Sequence, residues 1–482
     1  MHAFHLPLFH TNRHPPATHQ LMPPTPLELP EILSLVAAYL PPRSLPACAR
    51  ISKAWYQACV PFIWKDIDLK DQPMAPIQSH SHLVKKVRIA CVREEHNAVR
   101  FPNLDSLELN FQGHQNSAGV QFVMEHPTIT RLALRTLLSG SRTELWDNLL
   151  GFRYLKTLAL TSKEAFGLNI DKFWQLCTRL ERLDIYVRHY SNLSFTMPPG
   201  ELTSIKDLGV YGCYSNNVPV FTEFIRRCPR LTSIHWHTSG PYEKTFISGL
   251  VALLEAKALP DLEYLEARTR KITNHLFTRL IKSMSRITGL LVDFSDDSMK
   301  MDFATLIEPH FSNLRVLEMN VYGYTTSPVA QVVMSSCPLL ERLVAPCVDA
   351  LLVAEGKPWV CFRLMFLDLA FSFGPPSTLN HLQPLVFDQL SKLTQLEEWH
   401  ITGPTNCGVD LRIEKGLHRL STLRLLHSVI LYDIVERMGD VDVEWMLEHW
   451  KSLTEFRGSL NTYDDKIRRA LENKLEEHGI KG

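Results

Sequence analysis

The chain has 482 residues, 51 Lys+Arg against 51 Asp+Glu, and 45% hydrophobic residues. The zero charge sum excludes the cationic excess of a general nucleic-acid or anionic-membrane binder, and no apolar run nears the ~18–20 residues of a membrane span. The apolar start from Met1 to Phe9 is interrupted by His2, His5 and Pro7, so neither a signal peptide nor an anchor is expected. No two of the ten cysteines stand as C-x-x-C, and the phosphate-loop, dinucleotide-binding, zinc-protease and nucleophile-elbow patterns are absent. Composition and motifs therefore offer no enzyme, and neither a cofactor nor a metal is expected.

Residues 1–26 are rich in Pro and His and lack apolar periodicity, the composition of a disordered arm. Residues 27–70 differ. Ile32, Leu33, Val36 and Leu40 fall on one face of a short helix that starts just after Pro30 and stops at Pro41-Pro42. A second short helix follows Ser44 and a third follows Ser52, with the serines placed as caps. Three helices in about forty residues form too small a core to be comfortable alone, which points to a packing partner. Leu29-Pro30-Glu31-Ile32-Leu33, Leu40, Leu45, Cys48, Ile51-Ser52-Lys53, Trp55 and Phe62-Ile63-Trp64 resemble the F-box motif, with its leading Leu-Pro, its Ser-Lys-x-Trp centre and its closing Ile-Trp. The resemblance implies that Leu29, Pro30, Ile32, Leu33 and Leu45 face a Skp-family adaptor. Trp55 and Trp64 are expected to close the module's own core and its junction with the next segment. Pro46 departs from the pattern and is expected to shift the start of the second helix.

From residue 71 to 460 the chain repeats apolar-x-x-apolar-x-apolar. The clearest copies are Leu104/Leu107/Leu109, Leu155/Leu158/Leu160, Leu180/Leu183/Ile185, Leu314/Leu317/Met319, Leu364/Leu367/Leu369 and Leu420/Leu423/Leu425. Weaker copies begin at Val84, Ile129, Ile205, Leu231, Leu262, Ile287, Leu340, Leu396 and Leu453, making fifteen, most of them 24 to 27 residues apart. Period and core match the leucine-rich repeat, a strand followed by a helix, although the consensus Asn or Cys after the strand is mostly missing. One such unit cannot cover its own apolar face, whereas stacked units share a continuous core. The predicted fold is thus α/β: a short three-helix F-box module followed by a leucine-rich-repeat horseshoe solenoid of about fifteen strand-helix repeats. Cys177, Cys228, Cys337 and Cys361 each stand three residues before a repeat's first core position, where other copies place Phe101, Phe152 or Phe311. They read as small buried hydrophobes rather than ligands or disulfides, which suits a reducing cytoplasmic or nuclear setting. Residues 461–482 carry Ile467, Ala470, Leu471 and Leu475 at helical spacing and read as a terminal cap.

Alternation along each repeat strand sends the residues between consensus positions to the concave face. In the fifth to eighth repeats these are Arg182, Asp184 and Tyr186; Asp207, Gly209 and Tyr211; Ser233, His235 and His237; Tyr264, Glu266 and Arg268. Tyr and Arg are the usual interface anchors, so Arg182, Tyr186, Tyr211, His235, His237, Tyr264 and Arg268 are the candidate substrate-binding residues. Lys86, Arg88, Arg131 and Arg135 make an earlier, mildly basic zone. The layout is similar to that of F-box/leucine-rich-repeat proteins. This implies a non-catalytic substrate receptor that docks on a Skp-family adaptor, and through it a cullin-RING ubiquitin ligase, while its concave face holds a protein substrate. Nucleic acid and membrane are not expected partners. The alternatives are an F-box scaffold acting outside ubiquitination, and a repeat scaffold whose first helices are only a cap.

Overall fold

The computed structural model describes residues 29–70, 74–110, 117–135, 143–161, 170–186, 200–212, 218–237, 243–295, 311–322, 328–345, 347–374, 376–402, 408–432, 437–458 and 460–482. The arm expected over 1–26 lies outside them. The chain divides into two compact units, Met1–Arg188 and His189–Gly482.

The first unit opens with three helices, α1 (Pro30–Tyr39), α2 (Leu45–Cys48) and α3 (Lys53–Trp64). Pro30 occupies the first turn of α1, where its missing N–H leaves no bond unmade, and Pro41-Pro42 ends that helix. Pro46 likewise sits in the first turn of α2, a helix of only 4 residues. Ser52 caps α3, its Oγ accepting the Trp55 N–H at 3.2 Å. Ser44 does not cap α2: its backbone is already helical at φ −87°, ψ −25°, whereas a capping side chain needs an extended residue such as Ser52. Ala37, Leu45, Ala49 and Cys59 form the module's core, and Leu40, Trp55, Phe62 and Ile63 pack on it. The Trp64 ring stacks on His80 at 4.6 Å, tying α3 to the helix Met74–His80.

Six parallel strands follow in chain order within this unit: β1 (Asp66–Asp68), β2 (Lys86–Ile89), β3 (Ser106–Asn110), β4 (Arg131–Arg135), β5 (Thr157–Thr161) and β6 (Arg182–Tyr186). Ile67, Val87, Leu107, Leu132, Leu158 and Leu183 lie in register across them, so each consensus leucine meets its counterpart in the next repeat. β1 was not expected: a strand of 3 residues with one buried side chain carries no repeat pattern of its own.

The second unit repeats the arrangement with β7 (Asp207–Tyr211), β8 (Ser233–His237), β9 (Tyr264–Ile272), β10 (Gly289–Ser295), β11 (Val316–Tyr322), β12 (Arg342–Val344), β14 (Phe366–Asp368), β16 (Glu398–Thr402), β17 (Ser428–Tyr432) and β18 (Glu455–Arg457). β13 (Val348–Asp349) and β15 (Phe371–Ser372) form a separate pair. The buried side of the sheet faces the helices: Trp236 of β8 stacks on Phe246 at 3.6 Å and meets Phe221 edge-on. These repeats are leucine-rich repeats, with one correction. The copy beginning at Leu420 is displaced, because Leu417–Thr422 is a 3-10 helix, Leu425 is 43% exposed, and the strand that follows aligns Leu426, Val429 and Leu431 with the consensus.

Cys177, Cys228, Cys337 and Cys361 are buried, and none of the described cysteines is in a disulfide. Burial pushes the thiols of Cys228, Cys337 and Cys361 up to about 12. His126 holds the same place in its repeat. Its Nδ1–H donates to the Phe122 carbonyl at 2.8 Å and its Nε2 accepts the Phe101 N–H at 3.1 Å, a pattern that requires the neutral ring. Buried amides on the helices bridge repeats. Gln331 donates to the Lys357 carbonyl and accepts Trp359 Nε1–H, and Gln383 donates to the carbonyls of Asp410 and Lys415.

At the end of this unit the helix Asp465–Glu477 is capped by Asp464 and buries Leu471 and Leu475, while Ile467 and Ala470 stay exposed. Gly479, at φ +77°, turns the chain so that Lys481 hydrogen-bonds alongside β18, covering an edge that would otherwise be open. No helix among the described residues is long and apolar enough to cross a membrane.

Candidate functional site

Two surfaces carry the candidate residues. On α1, Ile32, Leu35, Val36 and Tyr39 recur at i, i+3, i+4 and i+7, one stripe of the helix, and all four are exposed, Leu35 by 57% and Tyr39 by 84%. Leu29 and Pro30 lead into this stripe and are exposed too, and Ile51, before α3, is 65% exposed. A solvated helix face is ordinarily polar, so an apolar stripe of this kind marks a contact surface. Of the residues expected to face an adaptor, Leu29, Pro30 and Ile32 lie on it. Leu33 and Leu45 do not: they are 2% and 4% exposed, because α1 packs against α3 through its Leu33/Ala37/Leu40 side and Leu45 fills the core beneath. Both sides of α1 are apolar, so periodicity alone could not separate them.

The second surface is the open face of the sheets. In the first unit Arg182 donates to both oxygens of Asp184, at 2.9 and 3.3 Å, and Tyr186 is 36% exposed. The basic zone there is paired, Lys86 and Arg88 with Asp66, Arg131 with Asp105 and Arg135 with Glu108. Tyr211, His235, His237, Tyr264 and Arg268 stand on β7, β8 and β9 of the second unit, where strand register sets His235 beside Glu266 and His237 beside Arg268.

Glu266 organises this second group. One oxygen lies 2.9 Å from His235 Nδ1; the other takes Arg268 Nε–H at 2.8 Å and lies 2.9 Å from His237 Nε2, a close contact not aligned as a hydrogen bond. Burial alone would raise the Glu266 carboxyl, but the two imidazoles and the guanidinium outweigh it and hold it well below the usual carboxylate range. The chain of contacts continues through Arg268 to Glu318 at 3.1 Å, and from Glu318 to Arg342 at 2.6 Å. The Arg342 guanidinium also lies 3.5 Å over the Phe366 ring. Tyr211 packs on His237 at 4.9 Å and Tyr264 on His235 at 5.1 Å. One edge of the Tyr264 ring lies against β10, where a Cβ on Gly289 would come within 2.3 Å of it, so only glycine admits this placement. Burial, then Glu266 and Glu318, push the Tyr264 phenol up to about 12, and it stays protonated.

Ser233 Oγ, His235 and Glu266 fall in sequence at 3.0 and 2.9 Å, the order of a hydrolytic triad. Asp207 changes its chemistry. Its Oδ1 lies 3.4 Å from the same Nε2 that meets Ser233, so each imidazole nitrogen faces a carboxylate. Burial opposes charge on His235, but Asp207 and Glu266 outweigh it and raise the ring to about 9. An imidazolium donates to Ser233 and cannot take its proton, so at neutral pH this row supplies no general base. Among the described residues no cluster of three or more His, Cys, Asp or Glu is placed to hold a metal ion. Glu318, Arg342 and Gly289 were missed in the sequence, though they hold the same intervening positions in β10 to β12 and would emerge by carrying the alternation three repeats further.

A small helical module with an exposed apolar stripe, followed by leucine-rich repeats with a charged open face, defines a protein-interaction class. Residues 30–70 match the F-box-like family. No curated protein matches the chain. Among solved structures, a TLR13–ssRNA13 complex is similar with a TM-score of 0.41 and 15% identity, covering 80% of this chain and 57% of that one. The plant peptide hormone receptor RGFR1 in complex with RGF2 gives 0.35 and 12%, covering 82% and 66%. The chain thus spans just over half the length of the first. It joins an F-box-like segment at residues 30–70 to strand-helix repeats on parallel sheets.

Proposed function

We propose that the chain is the substrate-recognition subunit of a cullin-RING ubiquitin ligase. The exposed stripe of α1 with Leu29 and Pro30 docks on a Skp-family adaptor, and the open face of the repeats holds a protein substrate in the cytosol or nucleus. One observation carries this reading: the segment matching the F-box-like family keeps Ile32, Leu35, Val36 and Tyr39 exposed on one side of a helix. A helix that served only as a cap would turn such a stripe inward. Covering it with a partner's groove follows the helix-in-groove mode of recognition, with anchors at i, i+3, i+4 and i+7. The chemistry then belongs to the partners, and this chain contributes position, raising the effective concentration of substrate lysines near a charged ubiquitin carrier. Affinity capture from cells tests the reading. Wild type is expected to recover both the adaptor and a cullin, and Leu35→Asp to lose both. Recovery of the adaptor without any cullin would instead favour a scaffold that works outside ubiquitination.

A further inference from the structure

The open face of the second unit is layered. Its carboxylates lie deep, Glu266 with 12% and Glu318 with 13% of the side chain exposed, while the cations above them are more open, Arg268 by 35% and Arg342 by 40%. Both guanidiniums contact the one Glu318 carboxylate, Arg268 through Nη2 and Arg342 through Nε. Five N–H donors serve each guanidinium, and the Nη groups of Arg342 and the Nη1 of Arg268 make no hydrogen bond among the described residues. The buried carboxylates therefore fix both side chains without using up their donors. Between them the floor holds Leu291, 6% exposed, Val316 of β11 opposite Gly289, and the Tyr264 ring against Gly289, with the buried Asp293 carboxylate close enough to Arg268 to favour its charge.

We propose that this floor and the Arg268–Glu318–Arg342 bridge receive an acidic peptide segment, a Glu or Asp carboxylate engaging the Nη donors left unused among the described residues while a neighbouring aliphatic side chain rests on Leu291, Val316 and the Tyr264 ring. Asp207, Glu266, Asp293 and Glu318 stand beside Arg268, Arg342 and the His235 imidazolium, so the cluster has no cationic excess and selection comes from pre-set donors at short range, not from a long-range field. A rigid guanidinium fork is well matched to a carboxylate and needs no reordering on binding. The proposal rests on the reading of the open face as the recognition surface and adds the chemistry that face selects.

The test measures fluorescence anisotropy of full-length protein with a labelled, end-capped heptapeptide of alternating Glu and Leu, and with its Gln/Leu and Lys/Leu counterparts. Binding is expected for the Glu peptide alone, weakened at least about tenfold by Arg342→Gln and by Arg268→Gln, as for loss of hydrogen bonds to a charged group. Arg315→Gln, in an exposed ion pair with Glu341, serves as the neutral control and should leave binding unchanged. Equal binding of the Gln peptide, or unchanged affinity in both arginine variants that melt like wild type, overturns the proposal. Cellular capture with Tyr211→Ala/Tyr264→Ala separates the two readings. If the tyrosine variant loses substrate and the arginine variants keep it, the recognition face stands and the acidic segment falls; if none loses substrate, both fall.

Discussion

Replacing Glu266 by Gln removes a carboxylate from His235 Nδ1 and leaves Asp207 as its remaining acidic neighbour. Raising the ring from 6.5 to about 9 corresponds to about 3–4 kcal/mol of preference for the imidazolium, at ~1.4 kcal/mol per pH unit. Because the folded value lies above the unfolded one, that stabilisation is complete below pH 6.5 and is lost as pH rises through about 9. Histidine-selective 13C labelling reads the titration, with the His235 signal assigned by its loss in His235→Gln. Wild-type His235 is expected to titrate near pH 9, and in Glu266→Gln to fall by more than about one unit, while urea unfolding between pH 6.5 and 9 shows a shallower loss of stability in the variant. Fluorophosphonate should leave Ser233 unlabelled at pH 7. A wild-type titration at or below 6.5, or labelling of Ser233, would show that His235 is a neutral base and refute the reasoning.

Further outcomes follow from the packing. His96 and His126 are both held below the ordinary histidine value, chiefly by burial, so their neutral forms stabilise the first unit above pH 6.5 and that support is lost as pH falls below it. The protection factor of the Phe101 amide, bonded to His126, should fall between pH 7 and 5 once the intrinsic exchange rate is divided out. At pH 8 iodoacetamide should modify exposed Cys91 while Cys228, Cys337 and Cys361 resist until the protein unfolds, as peptide mapping would show. Gly289→Ala should lower stability by ~1–3 kcal/mol in a denaturant melt, because its Cβ meets the Tyr264 ring.

What the sequence reveals is limited by how its signals arise. The repeat is legible because every core-facing position must be apolar, and strand register then follows without further information. Register alone brings His235 against Glu266, so the centre of the open-face cluster is already implicit in the alternation. The Leu417–Leu431 stretch defeats the pattern because Leu420/Leu423/Leu425 and Leu426/Val429/Leu431 both fit the template, and only the 3-10 helix decides between them. α1 is ambiguous for a related reason. Leu33 and Val36 are equally apolar, and which of them faces inward depends on where α3 lies. His126 stands as a polar residue in an apolar column, and its fit depends on two backbone groups that no spacing rule locates.

The docking claim is tested most directly by the affinity of purified full-length chain for a purified Skp-family adaptor, measured by titration calorimetry for wild type and Tyr39→Asp. Tyr39 is 84% exposed, so its replacement leaves the module's core intact. Wild type is expected to bind, and the variant to bind at least about tenfold more weakly with an unchanged melting profile, as for loss of an aromatic interface anchor. Failure of the wild type to bind, or undiminished binding by the variant, would contradict the assignment of this helix face.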